Sequence, residues 1–224
     1  EFSVLKPDHF VIVSREYYYP DYSRPREQKI RDKIISDLVA KTSWKINFFL
    51  PKEARNNKNF LAKINRNKNI KLTFYNTTPV EGFELIRHKI LSMQLGLPRP
   101  HNVLIPTLIL STLMNYQNSF LFGADHSWLA QIQVTSDNEA LVNQKHFYDK
   151  GLTKARTMHL KGKPRKLHEI LRKFYLSFKA YHEIEQFAQS KKIHIFNCTE
   201  SSFIDAFQRL KPDQVYSIIE KSIN

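Results

Sequence analysis

The residue types best suited to chemistry are concentrated in two short segments, residues 123–128 and 146–149. The first, Gly-Ala-Asp-His-Ser-Trp, follows an apolar strand predicted for residues 119–122, and the second is His-Phe-Tyr-Asp. Together they hold two histidines, two carboxylates, a serine, a tyrosine and a tryptophan. Imidazole and carboxylate groups can move protons, and hydroxyl groups can donate hydrogen bonds to an anion. Because open α/β sheets bind ligands at the carboxyl ends of their strands, we expect a ligand site here.

A regular alternation of predicted strands and helices surrounds these segments. Strands are predicted for residues 9–13, 44–50, 70–75, 119–122 and 192–196, and helices for residues 26–42, 53–66, 82–94, 102–114, 164–190 and from residue 212 onward. This order predicts an α/β fold with a mainly parallel sheet and helices on both faces. Residues 130–143 instead predict a hairpin that turns at 135–138, and the polar, basic residues 145–165 predict a mobile lid.

Length and composition limit the class of protein. The chain has 224 residues, a mass of 26.5 kDa and a hydrophobic fraction of 42%, which is enough for a core, and we expect one domain over residues 1–224. Its apolar runs stay short of the ~20 residues that a membrane-spanning helix needs. Cys198 is the only cysteine, so an intrachain disulfide and a multi-cysteine zinc site are excluded, which fits a reducing cytoplasm.

The chain is strongly basic, and the excess charge is localised. The formal net charge is +14 and the pI is about 9.8. Between Lys150 and Lys192 there are twelve lysines and arginines against three glutamates. Such a segment can bind RNA or DNA, anionic lipid headgroups, or a nucleotide-sugar with an anionic acceptor. It can equally be the solvated face of a helix.

The second half of the chain resembles a known group of enzymes. The features that carry the resemblance are an apolar helix beginning near Asn102, the sequence FLFGAD at 120–125, a histidine–tyrosine motif, and the sequence NCTESSFI at 197–204. Together they resemble the bacterial sialyltransferase-like glycosyltransferases and a related, uncharacterised group named after an archaeal pterin pyrophosphokinase. The resemblance covers residues 100–210 well, and residues 5–100 only in the order of strands and helices.

The resemblance implies a Rossmann-like, single-sheet glycosyltransferase fold. Enzymes of this kind take a sugar acid from a CMP donor, need no metal or other cofactor, and transfer with inversion. The implied acceptor is a surface glycan or glycolipid, and we expect a cytoplasmic location. The basic segment 150–192 would then either hold an anionic acceptor or dock on the headgroups of the inner membrane face. The family's first strand and its Gly-Asn-Gly-Pro-Ser nucleotide loop are not found in this sequence. We therefore expect a segment that completes the donor site to precede residue 1.

Inverting glycosyl transfer needs a base for the acceptor hydroxyl and stabilisation of the departing phosphate. By the resemblance, His146 is the base, since an imidazole with a pKa near ~6.5 accepts a proton at neutral pH. Tyr148 would donate to the leaving phosphate, and Asp125 would bind a hydroxyl or orient His126. Each residue also has a structural interpretation. His146 could hydrogen-bond to the backbone of its loop, Tyr148 could be a half-buried aromatic side chain at the rim of the pocket, and Asp125 could cap the turn at Gly123.

A further set of residues is predicted to contact the donor or the acceptor. They are Gly123, His126, Ser127, Asn197, Thr199, Ser201, Ser202 and Arg209. Residues 197–202 lie just beyond a predicted strand, where hydroxyls and the amide N–H groups that open the next helix suit an anion. The hydroxyls could instead be ordinary N-caps, and Arg209 could form a salt bridge with Asp205 one turn earlier on the same helix.

Three other interpretations stay open. Asp125, His126, His146 and Asp149 could hold a metal ion, although no His-x-x-x-His spacing supports this. The related group implies a Mg²⁺-dependent, pterin pyrophosphokinase-like enzyme. The basic segment could also form a nucleic-acid-binding module, with the tyrosines at 17–19 as a stacking surface. Among the candidate functions, sugar transfer ranks first, the pyrophosphokinase-like reaction second and nucleic-acid binding last.

Overall fold

A computed structural model describes residues 2–19, 25–143, 156–160 and 163–223. The chain divides into two compact units, Glu1–Leu110 and Ser111–Asn224. Both units combine helices with parallel strands, so the protein is mixed α/β, as the alternating pattern predicts. No described helix is both long enough and apolar enough to cross a membrane.

The first unit is built on a three-stranded parallel sheet. Its elements are α1 (Phe2–Leu5), β1 (His9–Val11), α2 (Pro25–Lys41), β2 (Ile46–Pro51), α3 (Lys58–Ile64), β3 (Ile70–Tyr75) and α4 (Glu84–Ser92). The strand order is β1-β2-β3, and Phe48 of the central strand lies opposite Phe10 and Leu72. Phe48 and Leu50 are fully buried, because a central strand of a parallel sheet is covered on both faces.

Asn57 changes the helix predicted for residues 53–66. The structure has a 3-10 helix over Lys52–Asn56, and α3 begins only at Lys58. The Oδ1 atom of Asn57 accepts a hydrogen bond from the amide of Phe60 at 3.0 Å and so caps α3. The prediction of one continuous helix was therefore wrong, because the asparagine side chain competes with the backbone for the amide N–H groups of the first turn.

Asn102 acts as predicted at the start of α5 (Leu104–Leu113). Its Oδ1 atom accepts hydrogen bonds from the amide of Leu104 at 3.0 Å and from that of Ile105 at 3.4 Å. Pro106 lies in the first turn, where a helix does not need the missing N–H group. Ile105 and Ile109 are fully buried, which explains the strongly apolar sequence of this helix.

The second unit contains β4 (Asn118–Leu121), β5 (Ile132–Val134), β6 (Ala140–Val142), β7 (Arg156–Thr157), β8 (His159–Leu160), β9 (Lys163–Pro164), α6 (Leu167–Ser190), β10 (His194–Asn197), β11 (Gln208–Arg209) and α7 (Pro212–Ile223). Strands β11, β10 and β4 form a parallel sheet in that order, so β10 is its central strand and β4 lies at its edge. Strands β5, β6 and β7 are antiparallel, and the predicted hairpin at 135–138 joins the first two.

Several predicted boundaries in this unit need correction. Strand β4 ends at Leu121, and Phe122 is 60% exposed. Helix α6 begins at Leu167 instead of residue 164, because Pro164 belongs to the short strand β9. No helix begins just after Ser202 in the described chain: residues 203–207 form a loop that leads into β11. Most of the predicted lid at 145–165 lies outside the described residues, and its described part forms β7, β8 and β9.

Candidate functional site

Two loops meet at the carboxyl ends of β4 and β10. These strands are parallel neighbours, and Leu121 lies opposite Asn197, so the chain leaves both strands at the same edge of the sheet. The amide of Ala124 donates to Oγ1 of Thr199 at 3.0 Å, and that hydroxyl donates to the carbonyl of Leu121 at 3.2 Å. The hydroxyl of Ser202 donates to the carbonyl of Ala124 at 2.5 Å. Thr199 and Ser202 thus fix the loop after β4.

Asn197 organises the second loop from the end of β10. It is 1% exposed, and its Nδ2 atom donates to Oγ of Ser202 at 3.0 Å and to the carbonyl of Ile204 at 3.1 Å. Its Oδ1 atom accepts from the amide of Thr199 at 3.1 Å. A buried amide with all of these partners stabilises one loop conformation, since leaving such a group unpaired costs free energy.

Arg209 also stabilises the loop after β10, through hydrogen bonds from its guanidinium to the backbone. Its Nη2 atom donates to the carbonyls of Ser202 at 2.5 Å and Ile204 at 3.0 Å, and its Nη1 atom donates to that of Thr199 at 3.3 Å. Arg209 lies on β11, so its alternative placement on one helix with Asp205 was wrong. The Oδ1 atom of Asp205 instead lies 3.2 Å from Nε2 of His182 on α6.

His126 is packed into an aromatic cluster beneath the first loop. Its Nε2 atom lies 2.6 Å from the hydroxyl oxygen of Tyr181 on α6, and its ring contacts those of Trp128 and Phe178. Burial lowers the pKa of His126 to about 4, although the nearby carboxylate of Asp125 acts in the opposite direction. The imidazole is therefore neutral at pH 7.

Four of the predicted residues are accessible at this edge and make no side-chain hydrogen bond between the two loops. Arg209 is also exposed, but its guanidinium is bonded to the second loop. Gly123 and Asp125 are exposed, and Ser127 is half-buried and donates to Oδ2 of Asp125 at 2.8 Å. Gly123 has φ +71°, a conformation that favours glycine. Ser201 is exposed in the second loop. These side chains and backbone groups are the ones that a ligand could reach without breaking the hydrogen bonds between the loops.

The predicted site residues therefore fall into four groups, and His126, whose ring meets Tyr181 of α6, forms a group of its own. Gly123, Asp125, Ser127 and Ser201 are accessible at the edge, whereas the polar groups of Asn197, Thr199, Ser202 and Arg209 bond to the loops themselves. His146 and Tyr148 lie outside the described residues, so their predicted roles stay predictions. Among the described residues, no group of three or more histidine, cysteine, aspartate or glutamate side chains is arranged to hold a metal ion.

Tyr181 is the residue that sequence reasoning missed. It is fully buried on α6, at the helical spacing of the apolar residues Phe174, Phe178 and Ile184. That spacing predicts its burial, but the sequence gives no sign that its hydroxyl meets His126, which lies 55 residues earlier. Because the hydroxyl of a buried tyrosine usually has a hydrogen-bond partner, the predicted burial of Tyr181 was the one indication in the sequence that such a partner exists.

Fold and site together define a mixed α/β protein with two loops joined at one edge of a parallel sheet. Comparison with protein-family models gave no match for this chain. Comparisons with curated proteins and with solved structures gave no match either.

Proposed function

We propose that this protein is an inverting glycosyltransferase that moves an acidic sugar from a CMP donor to a glycan or glycolipid. The observation that supports this most directly is the pair of loops after β4 and β10, which hydrogen bonds hold together at one sheet edge. Sheets of the Rossmann-like type bind nucleotides at this edge. The proposal thus rests on the loop pair for the place of binding, and on the resemblance for the chemistry.

Asp125 and Ser127 are the described side chains best placed to meet a sugar. The Asp125 carboxylate is exposed, and the bond from the Ser127 hydroxyl at 2.8 Å restricts its orientation. An oriented carboxylate accepts strong hydrogen bonds from sugar or ribose hydroxyls, since a charged acceptor forms shorter and stronger bonds than a neutral one. We assign Asp125 to hydroxyl binding, and Gly123 to the close approach of the ligand to the backbone.

The chemical step would use the segment at 146–149. The acceptor oxygen attacks the anomeric carbon opposite the phosphate, the bond from that carbon to the phosphate oxygen breaks, and CMP leaves with the electron pair. His146 takes the proton of the acceptor hydroxyl, and Tyr148 donates a hydrogen bond to the departing phosphate. His126 has a different part: its neutral, hydrogen-bonded ring keeps the loop that carries Asp125 in place.

A thermal-shift comparison of nucleotides tests the donor. CMP, CDP, UDP, GDP and ATP are each added with and without Mg²⁺. A ligand at 100 times its Kd adds about 2.7 kcal/mol to the free energy of unfolding, so we expect CMP to raise the Tm by roughly 5 °C or more without metal. Stabilisation by ATP only with Mg²⁺ would instead support the pyrophosphokinase-like alternative and overturn the proposal.

Sugar transfer from a CMP-linked sugar acid tests the base. We expect His146→Ala to lower kcat by about a hundredfold or more, the usual contribution of a general base. His159→Ala is the matched control, because His159 is an exposed histidine of the same unit. If His146→Ala transferred sugar as fast as the control did, His146 would not be the base.

A further inference from the structure

The amino-terminal half of α6 presents a mixed apolar and basic stripe to solvent. We define the α6 stripe as Leu167, Leu171, Arg172, Tyr175 and Lys179. Leu167, Leu171, Tyr175 and Lys179 follow at intervals of four residues and so share one side of the helix, and Arg172 lies beside them, three residues before Tyr175. Leu167 is 39% exposed, Leu171 44% and Tyr175 61%. Apolar side chains exposed in a continuous row, and not singly, mark an interaction surface.

The opposite side of α6 already supplies the core contacts of this region. Ile170 is fully buried and Phe174 is 3% exposed, and both pack in one cluster with Ala140 and Val142 of β6. Trp128 joins them, with its ring centroid 4.1 Å from that of Phe174. The apolar side chains of the hairpin are thus buried without any contribution from the α6 stripe. Packing within this cluster therefore does not explain why leucine and tyrosine occur on the outer face of α6.

The charge around the stripe is mainly basic, although Nζ of Lys179 lies 3.6 Å from Oε1 of Glu183 on the next turn of α6. Between residues 163 and 179 the basic residues are Lys163, Arg165, Lys166, Arg172, Lys173 and Lys179, and the single acidic residue is Glu169. The carboxylate of Glu169 accepts a hydrogen bond from the amide of Lys166 at 2.9 Å and so serves the start of α6. Lys163 and Arg172 are exposed. The surface therefore complements an anionic partner.

We infer that the α6 stripe docks on an anionic lipid bilayer. Leucine side chains gain free energy in the acyl region, tyrosine favours the interface, and lysine and arginine attract anionic headgroups over about a Debye length. A nucleic acid could bind the lysines and arginines through its phosphates and stack a base on the tyrosine, but it has no apolar region that would bury the exposed leucines. The lipid surface uses every kind of side chain in the stripe. Binding to lipid does not depend on the proposed sugar transfer.

Sedimentation with lipid vesicles tests this inference. The full chain is mixed with vesicles of phosphatidylcholine alone, or with about one third phosphatidylglycerol, at low and high salt. We expect binding only to the anionic vesicles, and a clear loss near 1 M salt, where the Debye length falls to about 3 Å. Equal binding to both kinds of vesicle would contradict the role of the basic residues.

Two variants separate charge from insertion. Lys163→Gln with Arg172→Gln should lower the partition coefficient roughly fivefold for each charge removed. Leu171→Ala with Tyr175→Ala should lower it by about tenfold or more, because it removes the apolar groups that enter the bilayer. All four residues lie at the surface, with Leu171 44% exposed, so we expect the variants to fold, which circular dichroism checks.

Matched controls carry the same changes elsewhere. Lys68→Gln with Lys71→Gln removes two exposed charges from the other unit, and Leu85→Ala with Ile86→Ala removes exposed apolar side chains from α4. Both controls should bind vesicles as the unchanged chain does. The inference is overturned if a control loses as much binding as its matched α6 variant. It is also overturned if the α6 variants keep vesicle binding and lose only affinity for a mixed-sequence RNA.

Discussion

The Nε2 atom of His126 lies 2.6 Å from the hydroxyl oxygen of Tyr181, joining the loop after β4 to the longest described helix. His126 has φ +54°, in the left-handed region that few residues other than glycine adopt. A backbone in this region is retained where surrounding contacts stabilise it. The hydrogen bond and the ring contacts with Trp128 and Phe178 supply that stabilisation, and they fix where the chain places Asp125.

Removing the Tyr181 hydroxyl should destabilise the protein without changing its packing. Tyr181→Phe keeps the ring but leaves the partly buried imidazole nitrogen of His126 without this partner. We expect a fall of about 1–3 kcal/mol in the free energy of unfolding, measured by urea denaturation. The control Tyr175→Phe removes a hydroxyl from a tyrosine that is 61% exposed, and it should change stability by less than about 0.5 kcal/mol. Equal effects of the two variants would contradict a structural role for the contact.

The free energy of unfolding should depend on pH because the imidazole of His126 is buried. Burial lowers the pKa of His126 from 6.5 to about 4, so between these values the unfolded chain binds a proton that the folded chain does not. Stability from this group is therefore fully present above pH 6.5 and is lost as the pH falls toward 4, by roughly 3 kcal/mol in all. The difference between the original chain and His126→Gln, taken from urea denaturation across this range, isolates the effect. A difference that did not vary with pH would contradict it.

The regular elements could be predicted where apolar residues alone decide the structure. The predicted bounds of β3 match the observed strand Ile70–Tyr75, and α2 was predicted to within one residue of each end. The helix predicted across Asn57 failed because one side-chain oxygen decides where α3 begins. The spacing of apolar residues shows which face of an element is buried, whereas the end of a helix depends on a single hydrogen bond. The element boundaries were therefore predicted less accurately than the elements themselves.

The candidate site could be located but not resolved from the sequence. The strands predicted to end at residues 122 and 196 were both expected to lead into polar loops. The structure ends these strands at Leu121 and Asn197 and brings the two ends to one edge. The serine and threonine residues after β10 have the composition of a helix N-cap, but their hydroxyls bond across to Leu121 and Ala124. Such partners are distant in sequence, so local pattern cannot distinguish a cap from a bridge between loops.

Arg209 should prove to be a residue of the loop framework. Its guanidinium donates to the carbonyls of Thr199, Ser202 and Ile204, a geometry that a single ammonium group cannot reproduce. We expect Arg209→Lys to lower the free energy of unfolding by about 1–3 kcal/mol and to speed amide exchange in the two loops. Gln208→Lys, at the exposed neighbouring position, is the control. An unchanged exchange rate at the amide of Ala124 would show that Arg209 does not hold the loops together.

Asp125→Asn should separate binding from folding at the proposed site. The side chain is exposed and the substitution keeps its shape, so stability should change by less than about 0.5 kcal/mol. The amide loses the charge and half of the acceptor capacity, and a hydrogen bond to a charged group contributes about 1.5–3 kcal/mol. If Asp125 binds a sugar or ribose hydroxyl, kcat/KM for transfer from a CMP-sugar should fall by roughly ten- to a hundredfold. Ser127→Ala, which removes only the bond that orients the carboxylate, should cause a smaller loss. An Asp125→Asn variant with full activity and a less active Ser127→Ala variant would reverse this assignment and make the hydroxyl the group that meets the ligand.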